Sequence, residues 1–550
     1  MAANRKNVLL LYVDKYYLLS QIYPFGLNLI SNYLRRCGHR VDIACPFLPH
    51  GDYKKNLRDA IARTGPDFVG LGIRNLDTCM SCEQYGDFKG DGYQTFYFLP
   101  HVKEIVSEIK EAVPHIPIVV GGGAFTVSPI AILEYLGVDY GIIGEGEEPF
   151  CQFIEAFPDT ERIWHIPGMV YPWQDGYRVN SRQPYRFRPD LALEHREAAF
   201  SFAYEATGVP VQVKRGCHHR CSYCVEPLIE GRKFIFRNID DVIRELKALA
   251  HTMEAANRVF FVDTEFNVPD LRHGSELAKA ILKEGLHERF RFITQLIPKP
   301  FDVAFARLLA EAGFSLIFSC ESFSNRVLAR NLMAYDEKDI IEAMEICEQS
   351  RINFTVSLIF GLPGESHETL DHTLSRMKQY PVGPLRNYEY TVGGRIYQGT
   401  PLCEHVEKNS LSKNLYGTKS QGYLSPYYFC APVSPLEVHE YVKNIFPGIL
   451  CYDKKYDEAT HQRLAIGYLS DHGRWDEAVE HFTQSEAAVQ AGIYDYLFKK
   501  LLAATREDDA RAISSALLKN IDGGGASLDP GQAGVVRFYL SHLQKSPGTF

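Results

Sequence analysis

The sequence lacks an apolar run long enough to cross a membrane, which takes about 18 uninterrupted apolar residues. The apolar stretch near the start, residues 7–13, is followed at once by Asp14 and Lys15. No small-residue cleavage site comes after it, so a secretory signal peptide is not expected. We expect this stretch to be a buried first strand instead.

The sequence also lacks an excess of positive charge. Its formal net charge is −9 and its pI is near 6.1, whereas proteins that coat nucleic acid need a dense field of lysine and arginine. This argues against a nucleic-acid partner and favours a small-molecule substrate. The 13 cysteines are odd in number and irregularly spaced, which is not the pattern of a secreted disulfide framework. We therefore expect a cytoplasmic protein.

What is present is a long chain of ordinary globular composition. At 550 residues it has room for roughly three domains of about 150 residues each. Apolar runs at 67–73, 117–121 and 139–143 alternate with amphipathic stretches, which is typical of a parallel sheet covered by helices on both faces. We predict an α/β fold with a doubly wound, Rossmann-like sheet over residues 1–155, followed by a linker with a hairpin over 156–205.

A second alternating series begins at Val211, with strand candidates such as RVFFVD, FSLIFSC and FTVSLIFG. Repeated βα units of about 30–40 residues predict a full or partial (β/α) barrel over residues 206–405, and the chemistry of such barrels lies at the C-terminal strand ends. Residues 406–550 are predicted to form a mostly helical C-terminal domain.

The segment RGCHHRCSYC, residues 215–224, places three cysteines just past the first predicted barrel strand. Structural zinc and most four-iron clusters take four protein ligands, so three thiolates leave one metal corner open, which favours catalysis. Two alternatives stay open here. In the first, the three cysteines bind zinc with His218 or His219 as the fourth ligand. In the second, the cysteines are merely buried thiols.

This CxxxCxxC spacing, with Tyr223 before the last cysteine, resembles the radical S-adenosyl-L-methionine (SAM) superfamily. The resemblance implies a 4Fe–4S cluster on Cys217, Cys221 and Cys224, whose fourth iron chelates SAM. One electron from the cluster then splits a carbon–sulfur bond to give a 5′-deoxyadenosyl radical. It also implies an external one-electron donor of the flavodoxin or ferredoxin type.

Three later segments resemble the SAM-binding strand ends of that superfamily. They are RVFFVDTEFNVP (258–269), FSCESFS (318–324) and SLIFGLPGES (357–366). The resemblance implies that Glu321 contacts SAM, and that Ser357 and Gly361 lie near its adenine. Asp263 and Glu265, in the first segment, are candidates for a catalytic base or an extra iron ligand; the alternative is that they only organise the loop.

The first 155 residues resemble the cobalamin-binding domain that precedes many radical SAM barrels. The resemblance is carried by residues 23–43, 66–75, 116–129 and 138–150, with GEGE after a strand as the most specific piece. Loops at the strand ends would form a crevice for a flat cofactor. The implied corrin site is Tyr12, Pro24, Gly26, Arg74 and Asn75. The implied site of the nucleotide tail is Gly121, Gly122, Gly123, Thr126, Gly144 and Glu145.

One departure from cobalamin methyltransferases of the methionine-synthase type stands out. Those proteins carry DxHxxG after the first strand, where the histidine ligates cobalt, but here the strand is followed by Asp14, Lys15, Tyr16 and Tyr17. Either cobalt has no protein ligand on its lower face, or cobalamin is not bound. An arginine such as Arg74 beneath cobalt would hold off water without ligating; the alternative is that it pairs with Asp77.

The segment TVGGRIYQGTPL, residues 391–402, resembles a GIRIYPGTPL block of the cobalamin-associated subgroup. Tyr388, Tyr390, Arg395 and Tyr397 are candidates for the substrate pocket, with Tyr397 as a catalytic candidate. The alternative is that they are strand residues half in the core.

The resulting hypothesis is a cobalamin-dependent radical SAM C-methyltransferase that acts on a small molecule, with aromatic natural-product precursors compatible. A second hypothesis keeps cobalamin but catalyses a non-methylating rearrangement or cyclisation. A third is a methylthiotransferase, which needs a second cluster on N-terminal cysteines; Cys37, Cys45, Cys79 and Cys82 exist, but none follows the first strand directly. A carrier of cobalamin or of an iron–sulfur cluster is the non-enzymatic alternative.

Overall fold

The computed structural model describes residues 5–15, 22–188, 190, 191, 196, 200, 204, 207–252, 256–409, 412–451, 457–522, 534, 536–538 and 540. Tyr16 and Tyr17 lie outside them. Within this part of the chain, two seven-stranded sheets and a helical bundle make up the fold. The described helices include none that is long and apolar enough to cross a membrane.

The N-terminal sheet has the strand order β2-β1-β3-β6-β7-β8-β9, and it is parallel from β2 to β7. The strands of this half are β1 (Asn7–Tyr12), β2 (Arg40–Ala44), β3 (Phe68–Gly72), β4 (Phe88–Gly90), β5 (Tyr93–Thr95), β6 (Ile118–Gly121), β7 (Tyr140–Ile142), β8 (Met169–Trp173) and β9 (Gly176–Val179). The inner strands are apolar on both faces because helices cover both sides of the sheet. The predicted doubly wound sheet is confirmed.

The hairpin of β8 and β9 lies beyond residue 155 but adds two antiparallel strands to the edge of this sheet. The helices that cover the sheet are Phe25–Arg36, Tyr53–Thr64, Leu99–Ala112, Gly123–Val127, Pro129–Leu136, Glu147–Ala156 and Thr160–Ile163. Cys37 and Cys151 form a disulfide between the first of these helices and the sixth.

The second sheet is a partial barrel of the order β10-β13-β14-β15-β16-β17-β21, parallel throughout. Its strands, with the small strands around them, are β10 (Val209–Val211), β11 (Lys214–Arg215), β12 (Ile235–Phe236), β13 (Arg258–Phe261), β14 (Arg291–Leu296), β15 (Phe314–Glu321), β16 (Asn353–Phe360), β17 (Arg386–Val392), β18 (Gly394–Arg395), β19 (Leu415–Gly417), β20 (Tyr427–Phe429) and β21 (Leu450–Cys451). Consecutive βα units therefore give the predicted α/β barrel in its partial form.

The barrel strands alternate between two faces. In β16, Phe354, Val356 and Leu358 are buried against the surrounding helices, whereas Thr355 and Ser357 are only partly buried and face the lumen. This alternation follows from the two-residue period of a strand. The barrel helices are Glu226–Ile229, Ile239–Thr252, Arg272–Lys283, Leu286–Arg289, Val303–Glu311, Asn325–Arg330, Glu337–Gln349, His367–Gln379, Pro401–Asn409 and Pro435–Ile445.

Residues 76–98, here named the bridging segment, connect the two halves. A buried ion pair of 2.7 Å joins Asp77 to Arg395 beyond the barrel's last long strand. Ser81 donates a 2.6 Å hydrogen bond to the carbonyl of Val392, and the hydroxyls of Thr95 and Tyr428 are 3.1 Å apart. These contacts fix the bridging segment against the end of β17 and the small sheet of β18 and β20.

Over residues 457–522, four helices follow the barrel and share a separate apolar core. They are Glu458–Asp471, Trp475–Gln484, Ala487–Ala503 and Glu507–Asp522. The bundle packs on the N-terminal domain, where the ring nitrogen Nε2 of His461 lies 2.9 Å from the carbonyl of Pro49. Residues 458–522 are helical, in keeping with the predicted helical C-terminus, whereas residues 415–451 of the predicted domain carry β19, β20 and β21, the last of which pairs with β17 of the barrel sheet.

Candidate functional site

A cavity of about 540 Å³ lies between the strand ends of the N-terminal sheet and the barrel lumen. All of the residues predicted to hold the corrin and its nucleotide tail line this cavity, with the exception of Asn75. From the barrel side it is lined by Pro210, Phe260 and Gln295. One chamber therefore joins the predicted cobalamin site to the lumen.

Arg74 lies at the wall of this chamber, and its guanidinium is 3.3 Å from the carboxylate of Asp14. The predicted alternative, a pair with Asp77, is wrong, because Asp77 pairs with Arg395. The described residues that line the chamber include no histidine. Among the described lining residues, the chamber wall therefore presents a cation at Arg74 and no imidazole.

Glycines shape the part of the chamber predicted for the nucleotide tail. Gly122 has φ of +104°, and a Cβ there would lie 2.4 Å from the carbonyl oxygen of Ile73, so only glycine fits. The Thr126 hydroxyl accepts a 2.9 Å hydrogen bond from the Gly144 backbone amide. This threonine fixes one predicted tail loop against the next.

The three-cysteine loop is held by contacts on both sides. Gly216 donates its backbone N–H to Glu230, at 3.0 Å. The Ser222 backbone amide donates to the carbonyl of Asn331, at 3.1 Å, and the Ser222 hydroxyl donates to the Asn331 side-chain carbonyl, at 2.6 Å. Asn331 is fully buried, so it supports the loop from the core.

The donor chemistry of the loop fits an iron–sulfur cluster. Burial raises the pKa of all three thiols, Cys217, Cys221 and Cys224, and such thiols become ligands once a metal displaces the proton. In the described part of the chain, neither these cysteines nor His218 and His219 belong to a trio of ligand atoms within 4.8 Å of one another. At least two of the three sulfur atoms of the loop therefore lie more than 4.8 Å apart in this structure.

Glu321 ends β15 at a bulge, with φ of +54°. Its carboxylate accepts hydrogen bonds from Tyr223, at 2.6 Å, and from Tyr335. Burial raises the pKa of Glu321 to about 8. A non-glycine residue in this backbone conformation is strained, and such strain clusters at functional sites. The bulge links the predicted SAM strand to the tyrosine inside the cysteine motif.

Glu265 and Asp263 differ in their surroundings. Asp263 accepts 2.8 Å hydrogen bonds from the backbone amides of Val213 and Lys214, which is the predicted loop-organising role. Glu265 accepts one hydrogen bond from Ser319, at 3.1 Å, while its Oε2 is buried without a partner in the described residues. Burial raises the pKa of both carboxyls, that of Glu265 to about 7, and the Oδ2 atom of Asp263 is also buried without a partner in the described residues. Glu265 suits a base better only because it accepts one hydrogen bond where Asp263 accepts two.

Ser357 and Gly361 lie on and after β16. Register pairing puts Ser357 beside Ser319, the residue that contacts Glu265, so Ser357 faces the lumen. Gly361 has φ of +86°, and a Cβ there would lie 2.5 Å from the sulfur of Cys430. The glycine is thus required for close packing at this strand end.

The tyrosines predicted for a substrate pocket lie on two different faces. The Tyr397 hydroxyl is 3.0 Å from the sulfur of Cys79, and the Arg395 guanidinium is 4.7 Å from its ring centre. Tyr388 and Tyr390 instead point to the outer face of β17, where their hydroxyls meet the carbonyl of Tyr380 and the ring of His439. The alternative, that these two are core residues, is correct.

Sequence reasoning missed Asn331, Tyr335 and Cys79 as neighbours of the site. Asn331 and Cys79 lie 109 and 318 positions from the residues that they contact, whereas Tyr335 lies 14 positions after Glu321. One signal was local: Asn331 and Tyr335 follow shortly after the predicted SAM strand FSCESFS, residues 318–324.

Comparison with known proteins finds two family models that match parts of the chain. The radical SAM superfamily model matches residues 211–377, and the B12 binding domain model matches residues 93–154. The tryptophan 2-C-methyltransferase of Streptomyces laurentii is 26% identical over 424 residues, which are 65% of this chain and 68% of that protein.

Two solved structures share the fold. TsrM, a radical S-adenosylmethionine methyltransferase from Kitasatospora setae solved with cobalamin and a 4Fe–4S cluster bound, gives a TM-score of 0.68 at 22% identity, covering 83% of this chain and 90% of that one. OxsB, a cobalamin-dependent S-adenosylmethionine radical enzyme solved with aqua-cobalamin, gives 0.63 at 13% identity, covering 99% and 84%. The chain therefore carries a radical SAM domain over residues 211–377, which includes the three-cysteine loop, and a B12 binding domain over residues 93–154, which includes the glycine-lined crevice.

Proposed function

We propose that this protein is a cobalamin-dependent radical SAM methyltransferase that transfers the methyl group of SAM to a carbon atom of an aromatic small molecule. When bound, the cluster supplies an electron to SAM, and cobalamin supplies a carrier for its methyl group. The observation that carries the proposal is the single chamber that holds predicted cobalamin residues on one side and barrel-lumen residues on the other.

The roles of the residues follow from their contacts. Cys217, Cys221 and Cys224 would hold the cluster, with Asn331 keeping the loop in shape. Arg74 would face the corrin as a non-ligating cation, because a guanidinium has no lone pair to offer a metal. Asp14 holds this cation in place through their ion pair.

An aromatic substrate is supported by the lining of the chamber. Tyr12, Tyr23, Phe25 and Phe260 all contribute to it, and aromatic rings pack favourably on other aromatic rings. The tryptophan methyltransferase of Streptomyces laurentii points to the same class. Glu265, with one buried oxygen free of a partner in the described residues, is the proposed acceptor for the proton that leaves the aromatic carbon.

The methylthiotransferase alternative needs several N-terminal cysteines in one place. In the structure, these four cysteines have different partners. Cys37 is in a disulfide with Cys151, the Cys45 amide meets the Tyr468 hydroxyl, Cys79 contacts Tyr397, and the sulfur of Cys82 is 3.8 Å from that of Cys451. The geometry therefore does not favour a second cluster on these residues.

The test uses the full-length protein, reconstituted without oxygen with iron, sulfide and hydroxocobalamin. SAM with a deuterated methyl group, a reductant and a panel of aromatic amino acids and indoles are added, and products are read by mass spectrometry. We expect the label on a carbon of one aromatic compound, and none with the C217A/C221A/C224A variant. Failure to take up corrin would refute methyl transfer by cobalamin. An unlabelled, rearranged product would favour the second hypothesis.

A further inference from the structure

A second group of metal-ligating side chains lies where the bridging segment meets the edge of the barrel. Cys82 belongs to the bridging segment, His439 to the helix Pro435–Ile445, and Cys451 to β21. In the described part of the chain, this is the one trio of His, Cys, Asp or Glu whose ligand atoms all lie within 4.8 Å of one another. The fold, not a local motif, brings them together.

Two of the three separations between these atoms match tetrahedral metal ligation, and the third, between Cys82 and His439, is within 4.8 Å. The two sulfur atoms are 3.8 Å apart, and the Cys451 sulfur is 3.6 Å from Nδ1 of His439. Zinc bonds of about 2.3 Å to sulfur and about 2.0–2.1 Å to nitrogen, at tetrahedral angles, separate two sulfurs by about 3.8 Å and a sulfur from a nitrogen by about 3.5 Å. A disulfide would need the sulfurs at about 2.0 Å.

Burial and charge also favour Zn²⁺ as the bound ion. Cys82 and His439 are buried, and Cys451 is partly buried. Two thiolates and a neutral imidazole around Zn²⁺ sum to zero charge, so the complex avoids the cost of a lone buried ion. Thiolate and imidazole donors also select zinc over magnesium or calcium, which prefer oxygen.

We propose that Cys82, His439 and Cys451 bind a Zn²⁺ ion that fastens the bridging segment to the barrel edge. The Tyr390 hydroxyl is 3.1 Å from Nδ1 of His439, and Tyr390 is the register partner of Cys451. The fourth ligand is this hydroxyl or a water beside it. The site lies on the outer face of β17, so it is separate from the cysteine loop and its role is structural.

The test measures zinc in the full-length protein purified without oxygen and dialysed against Zn²⁺. We expect about one zinc per chain in addition to cluster iron, as a structural site requires. C82S and C451S should each lower the zinc to background. C347S is the matched control, because Cys347 is fully buried elsewhere in the barrel and its loss should leave the zinc content unchanged.

A second measurement keeps the proposal testable if those variants fold poorly. The full-length C217A/C221A/C224A variant, which lacks the cluster loop thiols, should bind Co²⁺ with thiolate-to-cobalt absorption that added Zn²⁺ abolishes. The proposal is overturned if wild-type protein takes up no zinc, if zinc disappears in this triple variant, or if peptide mapping finds Cys82 and Cys451 joined as a disulfide.

Discussion

A larger side chain in place of Gly121 tests the predicted cobalamin site, because it would fill the part of the chamber that is predicted for the nucleotide tail. This residue ends β6 and lines the chamber. A Cβ built there meets only the carbonyl oxygen of Ile142, at 3.6 Å, which is an ordinary contact. Gly121→Leu should therefore fold normally while placing four carbons in space that the nucleotide tail needs.

The expected loss follows from overpacking. Forcing extra carbons into a filled site costs about 1–3 kcal/mol, and each 1.4 kcal/mol is about tenfold in affinity, so corrin binding should weaken by roughly 5- to 150-fold. Titration of the anaerobic protein with hydroxocobalamin, followed by absorbance, gives the Kd. Gly176→Leu is the control, because Gly176 lies in the exposed β8–β9 turn with open space around it. Wild-type corrin affinity in Gly121→Leu, with thermal unfolding unchanged, would refute the placement of the tail.

Three further outcomes follow from the contacts. Asn331→Ala removes the partner of the Ser222 hydroxyl and should lower the iron retained after gel filtration; full retention would contradict its supporting role. Asp77→Ala leaves buried Arg395 without its partner and should cost about 3–5 kcal/mol in the free energy of unfolding, read from denaturant titration; a loss below about 1 kcal/mol would contradict the pairing, since such values belong to surface pairs. Because burial raises the pKa of Glu265 to about 7, a base role predicts methylation that rises as the pH increases through 7 and the carboxyl ionises; a Glu265→Gln variant with the same pH profile as wild type would rule that role out.

The sequence was sufficient for features that depend on neighbouring residues. The spacing of Cys217, Cys221 and Cys224 is local, and so are Gly122 after β6 and Gly144 after β7, whose positive φ angles glycine accepts most readily. The cavity lining could be predicted because the carboxyl ends of parallel strands meet at one edge of the sheet.

Features made by distant residues could not be predicted in this way. The short distance along the chain between Arg74 and Asp77 allows an ion pair as one alternative, but the folded chain pairs Asp77 with Arg395 across 318 positions. Tyr390 reads as a pocket residue or a core residue equally well, because period-two alternation does not say which face of a strand is the lumen. The Cys82, His439 and Cys451 trio has no local spacing to detect.

The most direct test of the open iron corner is electron paramagnetic resonance of the reduced, reconstituted cluster with and without SAM. Three protein thiolates predict that SAM binds the remaining iron, so the g values should shift on addition of SAM and S-adenosylhomocysteine should not reproduce the full change. A spectrum that SAM leaves unaltered, in a protein that holds four irons on four of its own ligands, would contradict it.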